Sequence, residues 1–199
     1  MVHAQADEPL IGPNAVIQTA AALIALCGAE AAEKVFAQAG LSRYLRAAPA
    51  AMLPLREVAA LNASLAQALP PDRAAAVAAE AGRRTADYLL AYRIPAPAQW
   101  LLRHSPRPLA ARLLLRAIAA NAWTFAGGAT VRGFMADGAA VIEIAEGATD
   151  ACGCVWRRAV FTRLFGALVS ADAACAAACR LGAAPCRYEI TRISQKGRP

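Results

Sequence analysis

The feature that most narrows the fold is a change of hydrophobic period at Gly127-Gly128. Before this pair, apolar residues recur at helical spacing. After it they alternate, and a backbone repeating every two residues is a strand. Thr130 to Met135 and Ala139 to Ala145 flank Asp137-Gly138, a dipeptide suited to a primed turn with positive φ at both centres. A hairpin is therefore expected directly behind a helical front half.

Glycine and proline divide that front half. Ile11-Gly12-Pro13-Asn14 reads as a turn feeding a helix to Leu26, with Gly28 as a break. A second helix runs from Ala29 to Ala39 and stops at Gly40. Pro49 to Pro54 reads as a loop. Leu55 to Leu69 is amphipathic, with Leu55, Val58, Leu61, Leu65 and Leu69 on one stripe. Pro70-Pro71-Asp72 opens a longer helix to about Arg93, ended by Pro95 and Pro97. Gln99 to His104 is a short helix, and Leu109 to Trp123 another. Beyond the hairpin, Trp156 to Val169 is helical, with Val160, Leu164, Ala167 and Leu168 inward. Ala171 to Leu181 has helical composition, and Arg187 to Ile193 alternates like a strand. No internal repeat is evident. The pattern predicts one α+β domain over residues 11–193, with a helical part 11–125 and a β-β-α-β-β part 127–193. Residues 1–10 and 194–199 are expected to be disordered.

At 199 residues and 58% apolar composition, the chain can bury a core without disulfides or a metal. Neither apolar stretch reads as a membrane span. Ala15 to Ala29 falls short of the roughly 20 residues required, and Leu109 to Phe125 is interrupted by Arg112, Arg116 and Asn121. Residues 1–9 lack the pattern of a signal peptide, so a cytoplasmic location is expected. The formal charge of +7 is uneven. From Ala151 onward, eight basic residues face only Asp172 and Glu189. This favours an anionic partner, or is simply a solvated basic surface; no nucleic-acid-binding motif accompanies it.

Two groups of residues carry candidate chemistry. Five of the six cysteines, Cys152, Cys154, Cys175, Cys179 and Cys186, lie in the last quarter. Cys175, Cys179 and Cys186, with Cys154 or Cys152, form a set that can converge on zinc, which takes four thiolates tetrahedrally. Their spacing matches no standard zinc knuckle, and the competing reading is small buried thiols. The second group is His104 with Trp100, Arg103 and Arg107. A neutral imidazole suits the axial position of a tetrapyrrole metal, and arginines pair with propionates. The competing reading is a helix-end histidine with a structural hydrogen bond. The chain has no dinucleotide fingerprint, no Walker loop and no catalytic triad, so any reduction it performs has no hydride source declared in the sequence.

Several stretches taken together resemble a known family. They are Ile11 to Asn14 with the helix behind, Trp100 to Pro106, and Ala122-Trp123-Thr124-Phe125. Cys154 and Trp156 leading into Phe161 to Val169 belong with them, as do Cys179, Gly182, Cys186 and Tyr188. The set resembles the bacteriochlorophyll-synthesis 4-vinyl reductase family in its purple-bacterial form, over nearly the whole chain. Residues 127–193 resemble the 4-vinyl-reductase-type domain of aromatic-sensing regulators, similar in fold to TRAPP vesicle-tethering subunits.

The resemblance implies a twisted four-stranded antiparallel sheet packed on helices, often as a homodimer. It also implies that Asp172 to Leu181 is a strand, against its alanine-rich composition. It implies zinc on Cys154, Cys175, Cys179 and Cys186, with Cys175 standing where relatives have an acid and Cys179 at a spacing shorter by about one residue. It further implies a tetrapyrrole ligand near Trp100, Arg103, His104, Arg107, Trp123 and Phe125. The expected partners are pathway enzymes such as magnesium chelatase and the methyltransferase, and the expected place is at most peripheral to the photosynthetic membrane. Three functional readings follow: a tetrapyrrole carrier or accessory protein, a vinyl reductase in its own right, and a small-aromatic sensing or scaffold domain. The first predicts a shifted Soret band on mixing with pigment. The second predicts monovinyl product from divinyl substrate and a reductant, and the third predicts no pigment affinity.

Overall fold

The computed structural model describes residues 8–145, 150–178 and 185–193. The proposals for disorder at residues 1–7 and 194–199 lie outside them. The elements run β1 (Leu10–Ile11), α1 (Asn14–Cys27), α2 (Ala29–Gln38), α3 (Arg43–Arg46), β2 (Leu53–Pro54), α4 (Leu55–Ala68) and α5 (Pro71–Tyr88). They continue with α6 (Ala96–His104), α7 (Arg107–Ala120), β3 (Thr130–Ala136), β4 (Ala139–Ala145), α8 (Ala151–Leu168), β5 (Ala174–Ala178) and β6 (Cys186–Thr191). The expected α+β architecture is present, with the four-stranded antiparallel sheet ordered β3-β4-β6-β5.

The helix boundaries follow the local chemistry. Gly28, at φ 87, separates α1 from α2, and Gly40, at φ 71, follows α2. The hairpin turn has Asp137 at φ 49 and Gly138 at φ 78, so β3 and β4 pair from Ala136↔Ala139 to Thr130↔Ala145. After α5 the helix widens into a π-turn, Leu89–Arg93. The Gln99 side chain serves that turn by donating to the Ile94 carbonyl at 2.8 Å.

Three boundaries differ from the sequence reading. The ordered chain begins before residue 11, because Leu10 pairs with Pro54 and the Leu55 amide donates to the Pro9 carbonyl. Helix α8 starts at Ala151 and not at Trp156, because Asp150 caps it, accepting from the Gly153 amide at 2.7 Å. The composition of Ala171 to Leu181 pointed to a helix, yet Ala174–Ala178 is a strand paired with β6 from Ala174↔Thr191 to Ala178↔Arg187. Backbone pairing to a formed neighbour outweighs alanine's weak helical preference.

Two apolar cores result. One gathers α1, α2, α4 and the front of α5 around Val16, Leu23, Phe36, Leu61 and Leu65. The other lies between the inner face of the sheet and α7 and α8, around Leu115, Ile142, Phe165, Tyr188 and Ile190. Phe161 meets Tyr188 edge-on at 5.2 Å and Phe125 at 6.0 Å, which carries an aromatic chain from the second core toward the first. The outer face of the sheet is mixed, with an Arg187–Glu143 ion pair at 2.9 Å on the same face as Phe134 and the buried Val141. Helices α5 and α8 run through both halves and cross at Gly82. A Cβ there would collide with the Trp156 carbonyl oxygen and stand 2.9 Å from the Ala159 Cβ. No helix among the described residues is long and apolar enough to cross a membrane.

Candidate functional site

The residues singled out around His104 sit at the end of α6, which Pro95 and Pro97 start and Ser105-Pro106 stops. Trp100 and His104 are four residues apart, so one stands above the other on the helix. Their rings stack at 4.5 Å, and Trp100 remains 61% exposed. The His104 Nδ1 lies 2.8 Å from the Trp100 carbonyl oxygen. A carbonyl only accepts, so Nδ1 carries the proton and the neutral ring keeps its lone pair on Nε2. Arg103, on the same helix, donates to the Gln99 side chain at 2.9 Å and to the Ala167 carbonyl at 3.2 Å. The other three residues are dispersed. Arg107 is half-buried in the first turn of α7, Trp123 is exposed in a 3-10 turn, and Phe125 points toward Phe161.

Of the thiols, the structure brings Cys154 and Cys186 together. Their Sγ atoms are 3.7 Å apart, both buried, between α8 and β6. Cys152 points to the other core, so Cys154 is the member of that pair facing β6. Burial, with the Asp150 charge second, pushes the Cys152 thiol up to about 11, which makes it a poor thiolate. Cys175 pairs with Ile190, four residues along β6 from Cys186. At ~3.3 Å per residue this is about 13 Å of strand. The register therefore sets Cys175 apart from the Cys154–Cys186 pair. Cys179 lies outside the described residues, among which no cluster of three or more His, Cys, Asp or Glu suited to a metal occurs.

A third place emerges only from the tertiary structure. Between the two cores, α1, α4 and α8 enclose a cleft with a cavity volume of about 30 Å³. It has room for a water or a carboxylate head and not for a flat macrocycle, whose pockets measure hundreds of Å³. Its apolar walls include Ile11, Leu55, Val58 and Phe125, and Trp156 and Arg157 form part of its lining. Asn62 of α4 donates to Asp150 at 2.9 Å and ties the two sides. Arg157 is only 8% exposed, yet its Nε and Nη1 find no acceptor, nor does the Trp156 Nε1. No ion pair among the described residues includes Arg157, whereas Arg163 pairs with Asp87 and Arg187 with Glu143.

Sequence reasoning counted Arg157 only as part of a basic surface. A signal for its burial exists. Cys154, Arg157, Phe161, Leu164 and Leu168 fall at helical spacing on one stripe, and a charge in an apolar stripe is buried with it.

No family model matches the chain. Two curated proteins do, both called bacteriochlorophyll synthase 23 kDa chain. That of Cereibacter sphaeroides is 39% identical over 188 residues, spanning 90% of this chain and 89% of that protein. That of Rhodobacter capsulatus is 37% identical over 175 residues, spanning 83% and 78%. Among solved structures, the chain is similar to an H-NOX protein from S. oneidensis. The Fe(II) form aligns with a TM-score of 0.53 at 13% identity, over 90% of this chain and 95% of that one. The Fe(II)NO form aligns with 0.52 at 12% identity, over 91% and 98%. That likeness is one of fold, with both the helical half and the sheet half included. The two curated relatives, matched along most of their own length, show that the chain belongs to the family of bacteriochlorophyll synthase 23 kDa chains.

Proposed function

We propose that this protein serves bacteriochlorophyll synthesis by binding a tetrapyrrole of the magnesium-porphyrin or chlorophyllide type. In this reading it acts as a carrier between pathway enzymes, magnesium chelatase and the methyltransferase among them. The place in bacteriochlorophyll synthesis follows from kinship with the two named chains. The observation that supports pigment binding is the end of α6. An imidazole with its Nδ1 engaged and its Nε2 lone pair available stands beside an exposed indole face, and Arg103 of the same helix supplies a guanidinium. A metallotetrapyrrole asks for an axial nitrogen, a flat apolar surface and a cation for its acid side chains. The small cavity between the cores makes this surface the better seat for a macrocycle.

The test is a titration of the pure protein with zinc protoporphyrin, followed at the Soret band. The wild type is expected to shift the band at micromolar protein. His104→Ala should abolish the shift with an unchanged circular dichroism spectrum, since His104 is exposed. Absence of any shift with the wild type refutes pigment binding. Supplying a divinyl substrate and a reductant in the same assay separates a carrier from a reductase.

Structural zinc at Cys154 and Cys186 is the second proposal. Zn–S bonds of about 2.3 Å at tetrahedral angles put two sulfurs about 3.8 Å apart. The observed 3.7 Å fits that edge. Cys154 and Cys186 would supply two of the four ligands that structural zinc takes, and the ion would tie the start of α8 to β6.

A further inference from the structure

We propose that the cleft between the two cores is a carboxylate-binding site, with Arg157 and the Trp156 indole N–H as its donors. The ligand class is a monocarboxylate on an apolar body. This inference is independent of pigment binding at α6.

The reasoning starts from cost. A guanidinium holds a fixed charge, and burying it without an acceptor is among the least favourable arrangements in a protein interior. Arg157 is more than nine-tenths buried with two N–H-bearing nitrogens unserved, and the Trp156 Nε1 beside it in sequence is unserved as well. Both residues line the same cleft. Three unsatisfied donor atoms on adjacent residues that line one cleft describe the complement of an anion.

The surroundings select which anion. The cavity, at about 30 Å³, takes a head group of only a few atoms. The walls facing it, Ile11, Leu55, Val58 and Phe125, are apolar and suit a hydrocarbon or aromatic remainder. Asp150 lines the same cleft, with its oxygens held by the Gly153 amide and by Asn62. Its negative charge disfavours a dianion such as phosphate, so a single carboxylate is the best match. Trp156 packs against both cores, and α1 and α4 belong to one core while Phe125 packs on the other. An occupant would therefore touch both halves of the molecule and hold them together.

The carboxylate can belong to a free small acid or be the propionate of a larger molecule, and the experiment separates the two. Thermal unfolding is followed with 3-phenylpropionate, its neutral amide, sodium chloride, protoporphyrin IX and the porphyrin's dimethyl ester. A free-acid site predicts that 3-phenylpropionate raises Tm by about 3–6 °C at ten times its Kd, with the amide and chloride inert. A site for a propionate on a larger body predicts the rise with protoporphyrin IX alone and none with its ester. Arg157→Met should abolish either response while raising the Tm of the unliganded protein, because it removes the unpaired charge. Trp156→Phe should weaken the response several-fold, and it decides the matter if Arg157→Met does not fold. Equal shifts with acid and amide, a matching shift with chloride, no shift with any acid, or a full response in either variant would each overturn the proposal.

Discussion

Replacing Gly82 by alanine should destabilise this protein, although the same change in an ordinary helix stabilises it. Within α5, alanine is favoured over glycine by about 1 kcal/mol of helix propensity. Against that stands the crossing with α8. The added methyl would overlap the Trp156 carbonyl oxygen and come within 2.9 Å of the Ala159 Cβ. The carbonyl belongs to helix backbone and cannot rotate away, so the two helices must separate by about 1 Å to restore van der Waals distance. A gap of that size forfeits a quarter to a half of the dispersion energy along the contact. The residues affected include Val77, Ala78, Ala81, Thr85 and Ala86 of α5, all buried. Overpacking of this kind costs about 1–3 kcal/mol, which leaves a net loss of up to about 2 kcal/mol after the propensity gain. For a chain of this length, Tm should fall by up to roughly 8 °C. Thermal unfolding followed by circular dichroism measures it directly. A variant as stable as the wild type, or more so, would show that α5 and α8 do not meet at this residue. The reasoning about the cleft would then lose its floor, since Trp156 and Arg157 lie on the same turn.

Three further outcomes are expected. Asp150→Ala should cost about 1–3 kcal/mol, from the lost cap on α8 and the lost acceptor for Asn62, while Asp150→Ser should recover most of it; equal stability of Asp150→Ala and wild type in urea would contradict the capping role. Cys152 keeps its proton in the folded state up to about pH 11, against an ordinary value of 9.0. The unfolded chain therefore loses that proton first, and stability should fall as pH rises from about 9 to 11; Cys152→Ala should show a shallower decline in Tm over that range. Cys186→Ser should lower the zinc content of protein purified in zinc-supplemented medium, read by atomic absorption, and bring a loss of stability that chelation of the wild type reproduces.

How much of this was legible in advance can be judged element by element. The front helices were, because Gly28, Gly40 and the proline pairs act on their own neighbours. So was the hairpin, where Asp137-Gly138 adopts the positive φ values that its chemistry favours. The alternation around Tyr188 declared β6 for the same reason. Strand β5 was not readable from composition. Alanines at 174 and 176–178 prefer a helix in isolation, and only the ladder to β6 makes them extended. The resemblance to the 4-vinyl-reductase-type domain supplied that strand. The end of α6 was legible as a group, since Trp100, Arg103 and His104 are neighbours on a single helix.

What the sequence determined by itself was therefore whatever depends on residues a turn or two apart: helix ends, the turn and the periodicities. The tertiary structure alone decided which distant groups meet. It joined Cys154 to Cys186 and left Cys175 some four residues along the sheet. It buried Arg157, a residue that by type belongs in water, because α8 lies between two cores and its apolar stripe carries the arginine inward. Propensity is summed over neighbours in the chain. Burial is set by what folds over a residue from elsewhere, and here that came from α1 and α4, nearly a hundred residues or more away.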